Sequence, residues 1–381
     1  MKISIITRHA PSNYGSLLQA IATQKIIQSL GHKASIINYI RKDECGLKGV
    51  TTLLKYKKEW ENNIFKKILY ILLRYPSDKY AEIKFSRMRK RNLDLTPRFS
   101  SHIELKEASF IKETDVFLTG SDQVWGPVAD GKPDSAYFLS FTPHNSYKVS
   151  YAGSFGKTEF NESTLALYKE WLKDYNHITI REDSAVDILK KLELPCFGQV
   201  LDPTLLITAE EWSQFIARPT TQKPYVLVYQ IHNNPILDKY AIDFAKQANL
   251  PLYRVSPSLH QINRGGKFIY LPEIGDFISY IKNATYIITD SFHGTALSIN
   301  FNKDFIEILP NTKTGTRNQS ILRLTKLEKR IVTNYNDFSL INQPIDYSEV
   351  NKTIERERTK SINLLQCIIN NYKNHNENSS D

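Results

Sequence analysis

The run Tyr286–Thr289 is β-branched and ends in Asp290-Ser291-Phe292-His293-Gly294, with an apolar helix-like stretch from Thr295 onward. A helix N-terminus offers free N–H groups and a positive dipole end to an anion. A histidine placed there can give or take a proton near neutral pH. Asp290 and Ser291 add a carboxylate and a hydroxyl, and Gly294 would let a ligand approach the backbone. A capping histidine without chemistry would leave the same local pattern. Arg181 closes a second strand-like run, His177–Ile180. Its guanidinium fork suits phosphate or carboxylate, or a surface salt bridge with Glu182 or Asp183. A third run, Gly120-Ser121-Asp122-Gln123-Val124-Trp125, puts carboxylate, amide and indole together. Sugar sites use such groups, with hydroxyls on Asp122 and Gln123 and a ring face on Trp125; a turn with a core tryptophan would look the same. Asn13-Tyr14-Gly15-Ser16 could cradle an anion or a sugar, but it matches neither glycine-rich nucleotide loop. Lys313, Arg317 and Arg323 form a basic stretch that could hold an anionic donor or be solvated.

These residues need strands and helix ends to place them. Lys2–Thr7 reads as a strand. Leu17, Leu18, Ile21, Ile26, Ile27 and Leu30 then repeat with the period of a helix buried on one face, and Gly31 sits at its C-cap. Ala34–Tyr39 completes a βαβ unit, which calls for a parallel sheet. Further strands are read at 115–119, 148–152, 177–180 and 199–201, each followed by a small or polar turn. Ligands of open α/β sheets bind beyond such carboxyl ends. Pro219 interrupts the pattern, and from Tyr225 the α/β alternation starts again. The chain therefore divides into residues 1–218, residues 219–345, a helix over 346–373 and a disordered Asn/Ser-rich tail at 374–381. Two such domains facing each other would leave a cleft, a common ligand site.

The 381 residues are enough for two cores. Nothing resembles a signal peptide, a membrane span or a DNA- or RNA-binding motif. Three scattered cysteines give no disulfide framework and no metal spacing, which suits a reducing cytoplasm. Of the formal charge of +10, most lies between Arg41 and Arg91, where 15 Lys/Arg face 6 Asp/Glu. Within it, Ile64–Arg74 mixes a greasy face with basic residues. Such a helix can lie on an anionic membrane or pack on its own domain.

Taken in order, these pieces resemble the polysaccharide pyruvyl transferase family over roughly residues 1–335. The resemblance rests on Asn13-Tyr14-Gly15 and the helix to Gly31, Phe117–Trp125 (FLTGSDQVW), Ser150–Gly156 (SYAGSFG) and Ile178–Leu192 (ITIREDSAVDILKKL). Val200–Ile207 (VLDPTLLI) and Tyr286–Phe305 (YIITDSFHGTALSINFNKDF) complete it. It implies two Rossmann-like domains facing a cleft, as in GT-B glycosyltransferases, with the acceptor on the N-terminal side and the donor on the C-terminal side. It implies phosphoenolpyruvate as co-substrate, a sugar acceptor that could be lipid-linked, a pyruvate ketal as product, and neither cofactor nor metal. His293 matches the motif histidine and Arg181 the donor-binding arginine, with Asp122 or Asp290 on sugar hydroxyls. Two departures stand out. Many members carry Arg-Leu-His where this chain has Ser291-Phe292-His293, so either Arg317 or another cation replaces the missing arginine or the donor differs. The Asp that often follows the first-loop glycine is Ser16 here. A nucleotide-sugar glycosyltransferase of the same fold and a non-catalytic scaffold of polysaccharide assembly are the competing expectations.

Overall fold

The computed structural model describes residues 1–221, 223–310, 315–373 and 375. Among them, every pairing between strands is parallel, and the strands form two sheets. The first contains β1 (Lys2–Ile6), β2 (Lys33–Ile36), β3 (Val116–Thr119), β4 (Lys148–Gly153), β5 (His177–Ile180) and β6 (Gly198–Gln199), in the order β2-β1-β3-β4-β5-β6. Its central strands β3 and β4 are buried at every position, as parallel strands covered on both faces must be. The helix Tyr14–Ser29 starts at Asn13, whose side chain accepts from Ser16 N at 3.3 Å. Beyond its end Gly31 takes φ +84°. Residues Tyr14 to Gln24 of this helix are all buried, so it is enclosed on all sides rather than on one face as its periodicity suggested.

Between β2 and β3 lies a helical insertion with a small core of its own, Val50, Leu54 and Tyr70, backed by Trp60, Ile71 and Tyr75. Its main element is the helix Ile64–Asn92, begun by Asn63 accepting from Phe65 N at 2.8 Å and continuing through Pro76. The inner face ties it to the loop after β1. Phe85 meets Tyr14 at 5.0 Å between ring centroids, and Arg89 Nη1 donates to Ala10 O at 2.8 Å.

The second sheet contains β7 (Val226–Tyr229), β8 (Leu252–Ser256), β9 (Lys267–Tyr270), β10 (Tyr286–Thr289) and β11 (Asp304–Glu307), ordered β11-β10-β7-β8-β9. The compact units change at Pro203/Thr204, not at the 218/219 boundary read from the sequence. The reason is local: Asn300 Nδ2 donates to Thr204 O at 3.1 Å and to Ile207 O at 2.8 Å, and Trp212 Nε1 donates to Thr204 O at 3.0 Å. From Thr359 the chain belongs to the first unit again, within the helix Ser348–Asn370. There Leu201 N donates to Ser361 Oγ at 3.0 Å and Tyr147 OH to Ile368 O at 2.8 Å. Lys313 and the tail, apart from His375, lie outside the described residues.

Candidate active site

In each sheet the chain reverses direction of travel once, and ligands of open parallel sheets bind at the carboxyl ends beside that reversal. In the first sheet the reversal falls between β1 and β3, in the second between β7 and β10. Both pairs of loops carry the residues singled out from the sequence.

At the first, Thr7 Oγ1 donates to Ser121 O at 2.7 Å and Ser16 Oγ donates to Asp122 Oδ2 at 2.7 Å. Asp122 adopts φ +76°, a strained value for a residue with a Cβ, and its Oδ1 accepts from Gln123 N at 2.8 Å. Ser121 Oγ donates to Asp202 Oδ2 at 2.8 Å. Arg181 Nη1 binds the same oxygen at 2.7 Å, and its Nε lies 3.5 Å from Glu182. Glu182 in turn accepts from Ser154 Oγ at 2.7 Å. Asn13, Gly15, Ser121, Asp122, Gln123 and Arg181 are thus gathered at one end of the sheet. Burial pushes the Arg181 pKa down, but the carboxylates of Asp202, Glu182 and Asp122 outweigh it and raise the pKa. The guanidinium therefore stays charged.

Three sequence expectations are corrected here. Arg181 is not a surface ion pair; its side chain is 2% exposed and engaged by Asp202 and Glu182, so it holds the loops after β3, β5 and β6 together. Trp125 cannot offer a ring face to a sugar. It is fully buried, stacked 6.0 Å from Phe138 and 5.0 Å from Phe155, and a Cβ on Gly153 would stand 2.6 Å from its ring. Gly294, in the second unit, serves close packing rather than ligand approach: a Cβ there would meet Thr289 Oγ1 at 2.3 Å.

At the second reversal the helix Phe292–Asn300 begins at Ser291, whose Oγ accepts from Gly294 N at 3.4 Å. His293 therefore lies inside the first helical turn, not in a loop before it. Asp290 is buried, and its carboxylate accepts from Ile231 N at 2.7 Å, His232 N at 2.9 Å and His232 Nδ1 at 3.2 Å. It orients His232 rather than standing open to the hydroxyls of a sugar, which makes it a positioning residue. With Nδ1–H on the carboxylate, the His232 Nε2 is an acceptor on a ring about one third exposed.

Behind this helix sits Glu307, fully buried at the end of β11. Asn318 Nδ2 donates to its Oε1 at 2.7 Å, and Thr295 Oγ1 contacts its Oε2. Thr295 also reaches Ser291 O at 3.1 Å. One hydroxyl hydrogen cannot serve both, and the carbonyl only accepts. When Thr295 donates to Ser291 O, the contact with Glu307 requires the proton on Glu307. Burial pushes the Glu307 carboxyl up to about 8, in the same sense. Asn318 also brings Arg317, its half-buried neighbour in the first turn of the helix Thr316–Thr325, to this end of the unit. Among the described residues no group of three or more His, Cys, Asp or Glu is placed to hold a metal ion.

His232, Glu307, Asp202 and Glu182 were not among the residues chosen from the sequence. His232, Asp202 and Glu182 meet Asp290, Ser121 and Ser154 across loops 58, 81 and 28 residues apart, while Glu307 is held by Thr295 and Asn318 on the two helices that flank β11. The turn signals at 202 and 182 marked two of these positions; nothing in the sequence marked Glu307.

A family model for polysaccharide pyruvyl transferase matches residues 13–311, most of the chain. This chain belongs to the polysaccharide pyruvyl transferase family. No curated protein matches it. Among solved structures it is similar to the UDP-GlcNAc 2-epimerase from Methanocaldococcus jannaschii, at 11% identity, TM-score 0.51, covering 90% of this chain and 91% of that one. It is also similar to the S. aureus MnaA–UDP co-structure, at 9% identity, TM-score 0.50, covering 94% and 90%. At such identities the likeness is one of fold. It agrees with two parallel α/β units of the GT-B kind, the architecture that the family resemblance implies.

Proposed function

We propose that this pyruvyl transferase uses phosphoenolpyruvate to place a cyclic pyruvate ketal on two hydroxyls of a sugar, in a bacterial surface polysaccharide or its precursor. A proton is added to C3 of the donor, which becomes a methyl group. One sugar hydroxyl adds to C2 and loses its proton to a base. The second hydroxyl then displaces phosphate from C2, losing its own proton. The products are the ketal and inorganic phosphate, with no net oxidation.

The observation that carries this reading is the second unit's carboxyl end, where His293 in a helix first turn follows Asp290, whose carboxylate holds the His232 imidazole. His293 serves as the acid toward C3. His232, oriented by Asp290, takes a hydroxyl proton. The Phe292–Asn300 N-terminus and Arg317 offer positive charge to the phosphate and carboxylate of the donor. In the first unit Asp122, Asp202 and Glu182 surround Arg181, and Arg8, the other cation facing Asp122, is held by Glu44 at 3.1 Å. That balance disfavours a multiply charged anion and suits neutral hydroxyls, so Asp122 with Ser16, Asn13 and Gln123 is assigned to the acceptor. A cytoplasmic site of action follows from the donor, which is made there.

Incubation with phosphoenolpyruvate and nucleotide-linked or lipid-linked sugars tests the reading. Phosphate should appear in step with a sugar heavier by pyruvate less water. Nucleotide release from a sugar nucleotide instead would establish a glycosyltransferase. Sugar binding with no turnover of any donor would establish a scaffold.

A further inference from the structure

The helix Ile64–Asn92 has two faces of opposite character. Tyr70, Ala81, Phe85, Met88 and Arg89 are buried inward. On the other side Phe65, Ile68, Leu69, Leu72, Leu73 and Ile83 are all exposed, Phe65 at 79% and Leu72 and Leu73 at 65% and 66%. Successive residues turn about 100°, so these six fall in one stripe about 140° wide. Stripes of this kind are rare on a monomer's surface without a partner.

Charge on the helix is sorted the same way. Lys66, Arg87 and Lys90 are exposed on or beside the stripe. Its acidic residues, Asp78 and Glu82, turn away and are paired with Arg74 at 2.8 Å and Lys79 at 3.2 Å. Lys55, Lys57 and Lys58, in the segment leading into the helix, are exposed as well and outnumber its exposed Glu59. Arg74, one of the basic residues of the Ile64–Arg74 stretch, is therefore not part of the stripe. A second copy of the chain laid on this surface would bring two basic rims together. An anionic lipid surface satisfies both features: apolar side chains enter at the headgroup boundary, and lysines and arginines meet lipid phosphates. No helix among the described residues is long and apolar enough to cross a membrane, so the contact is one of lying on the surface.

We propose that the outer face of the helix Ile64–Asn92 docks the protein on an anionic phospholipid bilayer. The inference is independent of the pyruvyl transfer reading. The full-length protein is mixed with vesicles of phosphatidylcholine alone, or of phosphatidylcholine with phosphatidylglycerol, and sedimented. It should pellet with the anionic vesicles only, and high salt should release it. Phe65→Ser/Leu72→Ser/Leu73→Ser and, separately, Lys66→Gln/Arg87→Gln/Lys90→Gln should each lower partitioning at least about tenfold. Both change exposed side chains only, so Tm should hold. Lys352→Gln/Arg356→Gln, two exposed cations on the helix Ser348–Asn370, should sediment like wild type. Wild type left in the supernatant with anionic vesicles at low salt overturns the proposal. So does a dimer that the apolar variant dissociates while vesicle binding stays unchanged, since the stripe would then belong to a second copy.

Discussion

At the scale of single residues, the second unit concentrates the chemistry. His293→Ala should keep its fold and lose about 10²-fold or more in turnover, the range for a general acid or base; steady-state phosphate release at saturating donor measures it, and near-wild-type turnover would remove His293 from the reaction. Arg317→Ala should raise the KM for phosphoenolpyruvate by about tenfold or more while the KM for the acceptor stays put, since a charge-assisted contact to an anion contributes roughly 1.5–3 kcal/mol. Equal effects on both substrates would place Arg317 elsewhere. Glu307 is a structural proton store. Its folded pKa is raised above the ordinary 4.5 to about 8, so its stabilising contribution is full below pH 4.5 and is lost as pH rises through 8. Glu307→Gln reproduces the protonated carboxyl toward Thr295 and Asn318. Urea unfolding should find it close to wild type at pH 5 and more stable than wild type at pH 9. A variant less stable at pH 9 would mean that the buried carboxylate is preferred in its ionised form.

Elements decide where those residues stand. The helix Phe292–Asn300 is pressed on β10 so closely that only a glycine fits at 294. Gly294→Ala should therefore cost about 1–3 kcal/mol by overpacking against Thr289 and Tyr229, and activity should fall with it as His293 is displaced. Denaturant midpoints and turnover measured side by side check this, and an unchanged midpoint would contradict the close contact. Much of this placement was legible in the sequence. β5 and β10 have the bounds that their β-branched runs suggested, and the turn signals after β3, β5 and β10 mark carboxyl ends that carry site residues. What was not legible depended on packing. β9 is a half-buried edge strand of four residues after two glycines, too short for a period. The start of the His293 helix is set by the Ser291 cap, three residues before the apolar run announces it. Trp125 looked like a sugar platform because its neighbours are polar, but its surroundings come from Phe138 and Phe155, further along the chain.

Over the whole molecule, the two units carry buried ionisable groups of opposite pH response. In the first, His9 is fully buried in the loop after β1, with Nδ1 3.1 Å from Thr7 O. Desolvation, aided by Arg89, lowers its pKa from 6.5 to about 4. The folded unit holds His9 neutral while the unfolded chain protonates it, so stability present above pH 6.5 is lost as pH falls toward 4, roughly 3 kcal/mol at 1.36 kcal/mol per pKa unit. In the second unit Glu307 acts in the other direction, removing stability from about pH 4.5 to 8 on the order of 5 kcal/mol by the same conversion. Acid should therefore loosen the first unit relative to the second, and alkali the second relative to the first. Hydrogen exchange resolved by peptide, with intrinsic rates corrected for pH, reads this directly. Between pH 7 and 5, protection should fall in peptides of β1–β5 more than in those of β7–β11. Between pH 7 and 9, the strands β7–β11 should lose more, and Glu307→Gln should abolish that second difference. If both sets of peptides change in parallel across the whole range, the two buried groups do not govern the pH response of their units.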